Sequence, residues 1–280
     1  MKILSLQSAV AFGHVGNSAA VFPLQRLGFE VWPVNTVQFS NHPGYGQWGG
    51  SVLDAAHVQA VVDGLSRVGA LAQCDGVLSG YLGDEGSGAA ALEAVARVRR
   101  HNPRALFLCD PVMGDDGGQY VRDGIPQFLA TRAVPAADVV TPNRFELELL
   151  TGLPAGSMAE AAAAARMVLA RGPRVVVVTS LREATSIACL AVTAEGAWAV
   201  RTPCLPFDPP VSGTGDALAA LLLAHLLRGE AAPEALSLAV SSLYGVLEQT
   251  RALGRREMAL VQAQDEIALP SRLFAPLPVQ

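Results

Sequence analysis

Four consecutive valines, Val175–Val178, are the feature that most constrains the fold of this chain. An uninterrupted β-branched run is typical of a strand buried on both faces, which occurs in parallel sheets covered by helices. Other strand-like runs precede this one, and segments with the helical spacing of apolar residues lie between them. The alternation predicts an α/β fold in which helices cover both sides of a central, mostly parallel sheet.

The predicted elements follow one another along the chain without a linker-like segment. The expected strands are Ile3–Gln7, Val31–Phe39, Gly76–Ser79, Ala105–Cys109, Asp138–Val140 and Arg174–Thr179. The expected helices are Asn17–Leu27, Asp54–Ala72, Gly88–His101, Met158–Arg171, Thr214–Arg228 and Pro233–Thr250. A hairpin over Ile187–Val192 and Ala197–Arg201 is expected at one edge of the sheet. Because no low-complexity linker divides these elements, residues 1–280 are expected to form one domain.

The charge and cysteine content exclude several classes of protein. The net charge is −5 and no run of arginines exceeds two, which argues against nucleic acid as a partner. Lys2 is the only lysine, so the chain has no Walker A loop and no catalytic lysine elsewhere. The four cysteines are far apart in sequence, which argues against a zinc cluster or a disulfide framework and favours a reducing compartment. No apolar run is long enough to span a membrane, and a cytoplasmic protein is expected.

A glycine-rich turn, Val211–Asp216, opens a long apolar helix. Helix starts leave backbone N–H groups without partners and carry the positive end of the helix dipole, so this turn suits an anion. The amides of Gly213–Gly215 would stabilise a migrating phosphoryl group while Asp216 takes a proton from a hydroxyl group. The competing interpretation is an ordinary capped helix, with Ser212 or Thr214 as the N-cap residue.

Polar residues also follow the predicted strands, at the sheet edge where ligands of parallel α/β proteins bind. They are Ser8, Asp110, Thr141, Glu146, Thr179 and Ser180. Asp110 and Glu146 are candidates to hold Mg²⁺ with ATP, because Mg²⁺ takes oxygen ligands and keeps several waters. The hydroxyl groups of Thr179 and Ser180 could donate to phosphate oxygens. Asn143 with Glu146 could instead be a capping arrangement that starts a helix.

Two further features have a structural and a functional interpretation. The segment Asp115–Tyr120 is polar and contains two glycines, which fits either a surface loop or a lid that excludes water. His42 follows the second predicted strand, and a lone histidine there is more often a hydrogen-bonded structural residue than a catalyst.

The motifs cover nearly the whole chain in a distinctive order. They are SLQSAVAFGHVGN (Ser5–Asn17), WPVNTVQFSNHPGYG (Trp32–Gly46), SGYLG (Ser79–Gly83), CDPVMGD (Cys109–Asp115), TPNRFELELLTG (Thr141–Gly152), TS (Thr179–Ser180) and GTGD (Gly213–Asp216). In this order they resemble the pyridoxal kinase family of the ribokinase-like superfamily. GTGD alone indicates only a ribokinase-like kinase, whereas VQFSNH combined with DPVMGD and TPN is far more specific.

The resemblance implies a fold, a reaction and several partners. The fold would be a ribokinase-like three-layer α/β/α arrangement without a separate lid domain, usually assembled as a homodimer. The reaction would be ATP-dependent phosphorylation of the 5′-hydroxymethyl group of pyridoxal to pyridoxal 5′-phosphate, in vitamin B6 salvage. Mg²⁺ with ATP and activation by a monovalent cation, K⁺ in many cases, are implied as well.

Matching positions also imply residue roles. Those implied on the pyridoxal side are Ser8, Val15, Val37, Pro43, Gly44 and Tyr81, with Asp216 as the catalytic base. Those implied on the Mg-ATP side are Asp110, Thr141, Glu146, Thr179 and Ser180, with Arg201, Thr202, Pro203 and Cys204 near the nucleotide base and ribose. Pro43 departs from the threonine of many relatives and offers neither a hydroxyl group nor an N–H. His14 occupies a position that varies between aromatic residues and histidine.

Three other functions compete with this one. A hydroxymethylpyrimidine kinase would share the fold and act on a similar hydroxymethyl heterocycle. A pyridoxal- or nucleotide-binding protein without catalysis would lack the need for Asp216 and its glycine-rich turn, which are both present. A Rossmann dehydrogenase is disfavoured because no G-x-G-x-x-G follows the first predicted strand.

Overall fold

The computed structural model describes residues 1–279, and its strands form one ten-stranded sheet and a separate two-stranded hairpin. The strands are β1 (Lys2–Val10), β2 (Glu30–Phe39), β3 (Gly50–Val52), β4 (Gly76–Ser79), β5 (Leu106–Cys109), β6 (Gly114–Asp115), β7 (Gly118–Gln119), β8 (Val139–Val140), β9 (Val175–Arg182), β10 (Ser186–Val192), β11 (Ala197–Pro203) and β12 (Leu277–Pro278). The order across the large sheet is β12-β11-β10-β9-β8-β5-β4-β1-β2-β3, while β6 pairs with β7.

The centre of the large sheet is parallel, as the valine run predicts. Strands β9, β8, β5, β4, β1 and β2 pair parallel in that order. Val176, Val177 and Val178 lie in β9 and are fully buried. Because parallel strands end at the same edge of the sheet, the polar residues that follow them lie near one another.

Helices cover both faces of the sheet, so the predicted three-layer α/β/α fold is confirmed. The helices are α1 (Asn17–Arg26), α2 (Ala55–Arg67), α3 (Glu85–His101), α4 (Ile125–Phe128), α5 (Val134–Ala136), α6 (Arg144–Thr151), α7 (Met158–Leu169), α8 (Thr214–Leu227), α9 (Ala232–Ala252) and α10 (Gln264–Ala268). One apolar cluster joins the sheet to α2, α3, α6 and α7, and another joins its opposite face to α1, α8 and α9.

Several predicted boundaries differ from the observed ones, and two differences from the predicted fold have identifiable reasons. Helix α2 ends at Arg67 rather than Ala72, because Gly69 adopts a left-handed φ of +75°. The predicted hairpin forms as β10 and β11, but β12 pairs with β11 through Trp198 and Ala199. The C-terminal segment thus satisfies backbone groups that an edge strand would leave unpaired. Strand β3 at the opposite edge was not predicted.

Helix α8 is apolar all round and buried between its neighbours. Residues Ala217–His225 are all buried, and the helix packs on α1 and α9. A helix surrounded in this way has no freedom to tilt, so it fixes the position of the turn that precedes it. Of the helices within residues 1–279, none, α8 included, has the length and apolar character needed to cross a bilayer.

The burial of His225 predicts a specific dependence of stability on pH. Its side chain is 6% exposed, Nε2 has no hydrogen-bond partner among residues 1–279, and burial, with the charge of Arg228, lowers its pKa from 6.5 to about 4. The unfolded chain takes up this proton near pH 6.5, so the stability contribution is complete above that pH and is lost as the pH falls towards 4. We expect the free energy of unfolding of the wild type to fall by about 2 kcal/mol more than that of His225→Leu between about pH 7.5 and pH 5.

Urea unfolding of both proteins at the two pH values measures this difference, and any constant effect of the substitution cancels. His101→Gln, at an exposed position of α3, is the matched control and should follow the wild type. Parallel pH profiles for the wild type and His225→Leu would contradict the assignment.

Candidate active site

The glycine-rich turn enters α8 through a left-handed residue. Gly213 is the N-cap, with φ 80° and ψ 5°, and no side chain caps the helix. The alternative in which Ser212 or Thr214 is the N-cap is therefore wrong, because the left-handed backbone occupies the capping position. Among residues 1–279, no side-chain cap takes up the N–H groups of Thr214 and Gly215, and both residues line an adjacent cleft.

Asp216 is partly buried in the first turn of α8. Burial raises the pKa of its carboxyl group to about 6, while hydrogen bonds from the Gly16 N–H and from its own N–H act in the opposite direction. A carboxylate with a pKa near neutrality can accept a proton and release it again. Asp216 therefore has the properties of a general base, and the loop that contains Gly16 holds it in place.

The loop between β1 and α1 packs directly on the glycine-rich turn. A Cβ atom on Gly213 would overlap the carbonyl oxygen of His14 and lie 3.1 Å from the Val15 Cα atom. A Cβ atom on Gly16 would lie 2.5 Å from the Ser8 Oγ atom. The structure thus brings Ser8 against Gly16 and Val15 against the glycine-rich turn, and the role of both in binding pyridoxal stays a prediction.

Of the remaining residues of the expected pyridoxal side, Val37 lies in β2 and the others lie on the loops after β2 and β4. Val37 is buried, and the Thr36 hydroxyl group donates to the Tyr81 carbonyl oxygen at 2.6 Å. Pro43 and Gly44 begin a 3₁₀ turn, and the Gly44 N–H donates to the His42 Nδ1 atom at 3.2 Å.

His42 connects this turn to the glycine-rich turn. Its Nδ1 atom lies 3.3 Å from the Ser212 Oγ atom, and burial lowers its pKa. The structural interpretation of His42 therefore fits its position, and the contact also sets the 3₁₀ turn beside the start of α8.

Two buried carboxylates follow β5 and β8. The Thr141 hydroxyl group donates to Asp110 at 2.8 Å, and Glu146 accepts from the N–H groups of Met113 at 2.9 Å and Asn143 at 2.8 Å. Burial raises the pKa of Asp110 well above its usual range, and the charges of Glu146 and Asp216 add to that shift. Burial also raises the pKa of Glu146 to about 7.

These carboxylates combine a structural and an electrostatic role. Asn143 and Glu146 form the predicted capping box at the start of α6, so that interpretation is confirmed. Both carboxyl groups are nevertheless buried at the edge of the sheet, and no basic side chain in the described part of the chain forms a hydrogen bond with them. Within residues 1–279, no group of three or more His, Cys, Asp or Glu side chains could hold a metal ion by itself.

A cleft of about 610 Å³ extends from the glycine-rich turn to the antiparallel part of the sheet. Its walls include the predicted residues Thr179, Ser180, Thr202, Pro203 and Cys204, together with Thr214 and Gly215. Arg201 is not part of the wall, and its Nε atom pairs with the carboxyl oxygens of Glu183 at 3.1 Å. A volume in this range is typical of small-molecule sites.

The cleft also has an apolar wall that the sequence analysis missed. It consists of Leu205, Pro206, Phe207, Pro210, Val211, Leu218, Val240, Leu243, Tyr244 and Leu247. The signal for its first part is the proline-rich run 203–210, which predicts a rigid loop before the glycine-rich turn. No local signal marks the second part, because α9 reads as an ordinary packed helix.

The segment Asp115–Tyr120 forms the hairpin β6–β7, and Asp115 reaches the cleft. Asp116 forms an ion pair with Arg144 on α6, while Tyr120 is 54% exposed. The segment is therefore a hairpin at the mouth of the cleft, and the lid interpretation stays a prediction.

Comparisons with known proteins give a family model and several relatives, which carry two different kinase descriptions. A family model described as phosphomethylpyrimidine kinase matches residues 53–260. A pyridoxal kinase PdxY of Rubrobacter xylanophilus is 58% identical over 98% of this chain and 96% of its own length. One of Deinococcus radiodurans is 55% identical over 98% of this chain and 95% of its own length. A solved pyridoxal kinase from Leishmania donovani, in complex with ADP and pyridoxamine, is 30% identical with a TM-score of 0.94, covering 100% of this chain and 99% of that one.

Proposed function

The chain belongs to the pyridoxal kinase family of the ribokinase-like superfamily, and from that premise we propose that it transfers the γ-phosphoryl group of ATP to the 5′-hydroxymethyl group of pyridoxal. The observation that carries the proposal is the position of Asp216. Its carboxylate lies beside the uncapped start of α8, where the loop of Gly16 meets the cleft. That junction is where an acceptor hydroxyl group and a nucleotide would meet.

Asp216 acts as the base in this proposal. It accepts the proton of the 5′-hydroxyl group as that oxygen attacks the γ-phosphorus and the bond from this phosphorus to the departing ADP breaks. Removal of the proton makes the alcohol a sufficiently strong nucleophile at neutral pH. The N–H groups of Gly213–Gly215 stabilise the charge on the transferring phosphoryl group, in place of a P-loop lysine. Two observations support this role of the N–H groups: Gly213 has a left-handed backbone, and no side-chain cap on α8 is seen within residues 1–279.

Asp110 and Glu146 are the residues that fit Mg²⁺. They are buried carboxylates with raised pKa values, bonded to a hydroxyl group and to backbone N–H groups. A divalent cation would offset this accumulated negative charge, and with ATP it neutralises charge on the phosphate oxygens. Glu146 would act through water, since both of its oxygens already accept backbone N–H groups.

The two halves of the site take the two substrates. The cleft with its apolar wall would hold the nucleotide, with Thr179 and Ser180 towards the phosphates and Thr202–Cys204 towards the ribose and base. The pyridine ring would lie among the residues of the pyridoxal side named above, with Ser8 beside Asp216. Pro43 then contributes apolar contact only.

The proposal extends to properties that rest on the resemblance. Residues 1–280 would form one kinase domain that assembles as a homodimer in the cytoplasm and is activated by K⁺. Sedimentation at micromolar concentration and assays with K⁺ replaced by Na⁺ test the assembly and the cation.

A hydroxymethylpyrimidine kinase is the second candidate, and the description of the matching family model favours it. The VQFSNH motif of Val37–His42, which favours a pyridine substrate, lies outside the matched residues 53–260. We expect kcat/KM for pyridoxal to exceed that for hydroxymethylpyrimidine by at least about tenfold, since differences in ring contacts are worth this much. Product formation with Mg-ATP and each alcohol measures the ratio, and the reverse preference would select the second candidate.

A further inference from the structure

Glu257 is a buried carboxylate that no part of the proposed reaction uses. It lies in the segment after α9, and its side chain is 8% exposed. Its Oε2 atom accepts a hydrogen bond from the His14 N–H at 3.0 Å, and its Oε1 atom accepts one from the Tyr45 hydroxyl group at 2.7 Å. One carboxylate therefore joins the loop after β1 to the 3₁₀ turn after β2.

The neighbouring Arg256 strengthens the same connection. Its guanidinium group lies 3.6 Å from the centre of the Tyr45 ring and donates to the Gly44 carbonyl oxygen at 2.8 Å. Gly13, with φ +96°, lies so close to Glu257 that a Cβ atom would overlap the carboxyl group. The segment that contains Arg256 and Glu257 thus packs closely on Gly13 and His14 of the first loop and on Gly44 and Tyr45 of the second.

Both loops lead directly to the residues expected around the pyridoxal ring. Val15 follows His14, and Pro43 and Gly44 precede Tyr45. The His14 carbonyl oxygen and the Val15 Cα atom pack on Gly213, three residues before Asp216. A displacement of the His14 backbone would therefore change both the ring pocket and the support of the base.

We propose that Glu257 is a positioning residue that holds the β1–α1 loop and the Pro43–Tyr45 turn in the arrangement that binds the alcohol substrate. The inference rests on the proposed function for the identity of that substrate. Glu257 should affect binding of the alcohol substrate and not of the nucleotide. Its hydrogen bonds go to His14 and Tyr45, and it is not among the residues that line the cleft proposed for the nucleotide.

The variants Glu257→Gln and Tyr45→Phe test this role. Glutamine cannot accept both hydrogen bonds with the strength of a carboxylate, so we expect KM for pyridoxal to rise about tenfold while KM for ATP stays within about twofold. Tyr45→Phe removes one hydrogen bond only, and we expect a rise of about threefold. KM for pyridoxal in the double variant should exceed that of Glu257→Gln by less than about threefold, because both substitutions remove the same hydrogen bond.

Glu266→Gln is the matched control. Glu266 lies on α10 and accepts a hydrogen bond from the Ser271 N–H at 2.8 Å, so it is a carboxylate bonded to backbone in the same C-terminal region. Its substitution should leave KM for pyridoxal within about twofold of the wild type. Equal effects of Glu257→Gln and Glu266→Gln, or an unchanged KM for pyridoxal in both Glu257→Gln and Tyr45→Phe, would overturn the inference.

Hydrogen exchange on the unliganded proteins gives a readout that does not depend on activity. The amides of residues 14–17 and 44–46 should exchange at least about fivefold faster in Glu257→Gln than in the wild type, with no change in α8. Unchanged exchange in these two loops would overturn the positioning role. A wild type that fails to phosphorylate pyridoxal would instead overturn the proposed function, and the exchange result would still decide the role of Glu257.

Discussion

Replacing Asp216 by asparagine is expected to lower kcat for pyridoxal phosphorylation by about 10²–10⁴, the usual effect of losing a general base. Asparagine keeps the size of the side chain and can still accept the Gly16 N–H, so the loop beside it stays in place. The dissociation constant for pyridoxal should therefore change by less than about threefold. Turnover with saturating Mg-ATP, together with pyridoxal binding followed by its absorbance, measures both quantities.

The same variant should be more stable than the wild type at neutral pH. Burial raises the pKa of Asp216 to about 6 from 3.8, so the folded protein holds this proton at pH values where the unfolded chain has released it. Ionisation of Asp216 therefore lowers the free energy of unfolding. The loss is absent below about pH 4, grows between about pH 4 and 6, and is complete above about pH 6. We expect the free energy of unfolding of Asp216→Asn to exceed that of the wild type by about 1–2 kcal/mol at about pH 7.5, a value that allows for the partial exposure of the group. In acid this difference should disappear.

Asp123→Asn is the control for both effects, because Asp123 is exposed in the loop before α4 and its substitution should change neither kcat nor stability. Undiminished turnover by Asp216→Asn would reject Asp216 as the base. Absence of turnover in the wild type, with pyridoxal still bound, would favour a binding protein that has lost catalysis.

Much of this site could be predicted because parallel strands impose a common edge. The buried run Val175–Val178 indicates that sheet, and the sheet then requires that residues after separate strands meet. The hydrogen bond from Thr141 to Asp110 is a direct consequence, because these residues follow different strands that end at the same edge of the sheet. The capping box of Asn143 and Glu146 could be predicted for a different reason, since its signal is complete within four residues.

The parts that could not be predicted depend on contacts between distant segments. Tyr244 and Leu247 face the cleft from a long helix whose apolar positions all resemble core. Glu257 carries no local motif, and its partners are more than 200 residues away, at 243 and 212 positions for His14 and Tyr45. Arg201 is not in the wall of the cleft, because the register of β9, β10 and β11 places it against Glu183.

The geometry of the glycine-rich turn also separates two interpretations that were both open at the level of the sequence. A side-chain cap would satisfy the first N–H groups of α8 and leave little for an anion. A left-handed Gly213 at the N-cap position does the opposite, and only glycine adopts it without strain while the His14 carbonyl oxygen lies against its Cα atom. The absence of a Cβ atom at residue 213 is therefore a requirement of the site.

Gly213→Val is accordingly expected to lower kcat by at least about 10²–10³, as removal of a donor to a transition-state anion does. A β-branched residue at φ +80° is strained by about 1–2 kcal/mol, and its Cβ atom would displace either the turn or the loop of His14. Either movement takes amides away from the phosphoryl group and the Gly16 N–H away from Asp216. Single-turnover rates with saturating substrates measure the chemical step apart from binding.

The matched control is Gly229→Val, at the other end of α8. Gly229 has a comparable φ of +92°, but a Cβ atom there meets nothing within 4 Å. It should suffer the same backbone strain and lose stability without a change in the chemical step. If Gly213→Val kept the wild-type single-turnover rate, or lost no more than Gly229→Val, the start of α8 would not be the site that stabilises the phosphoryl group.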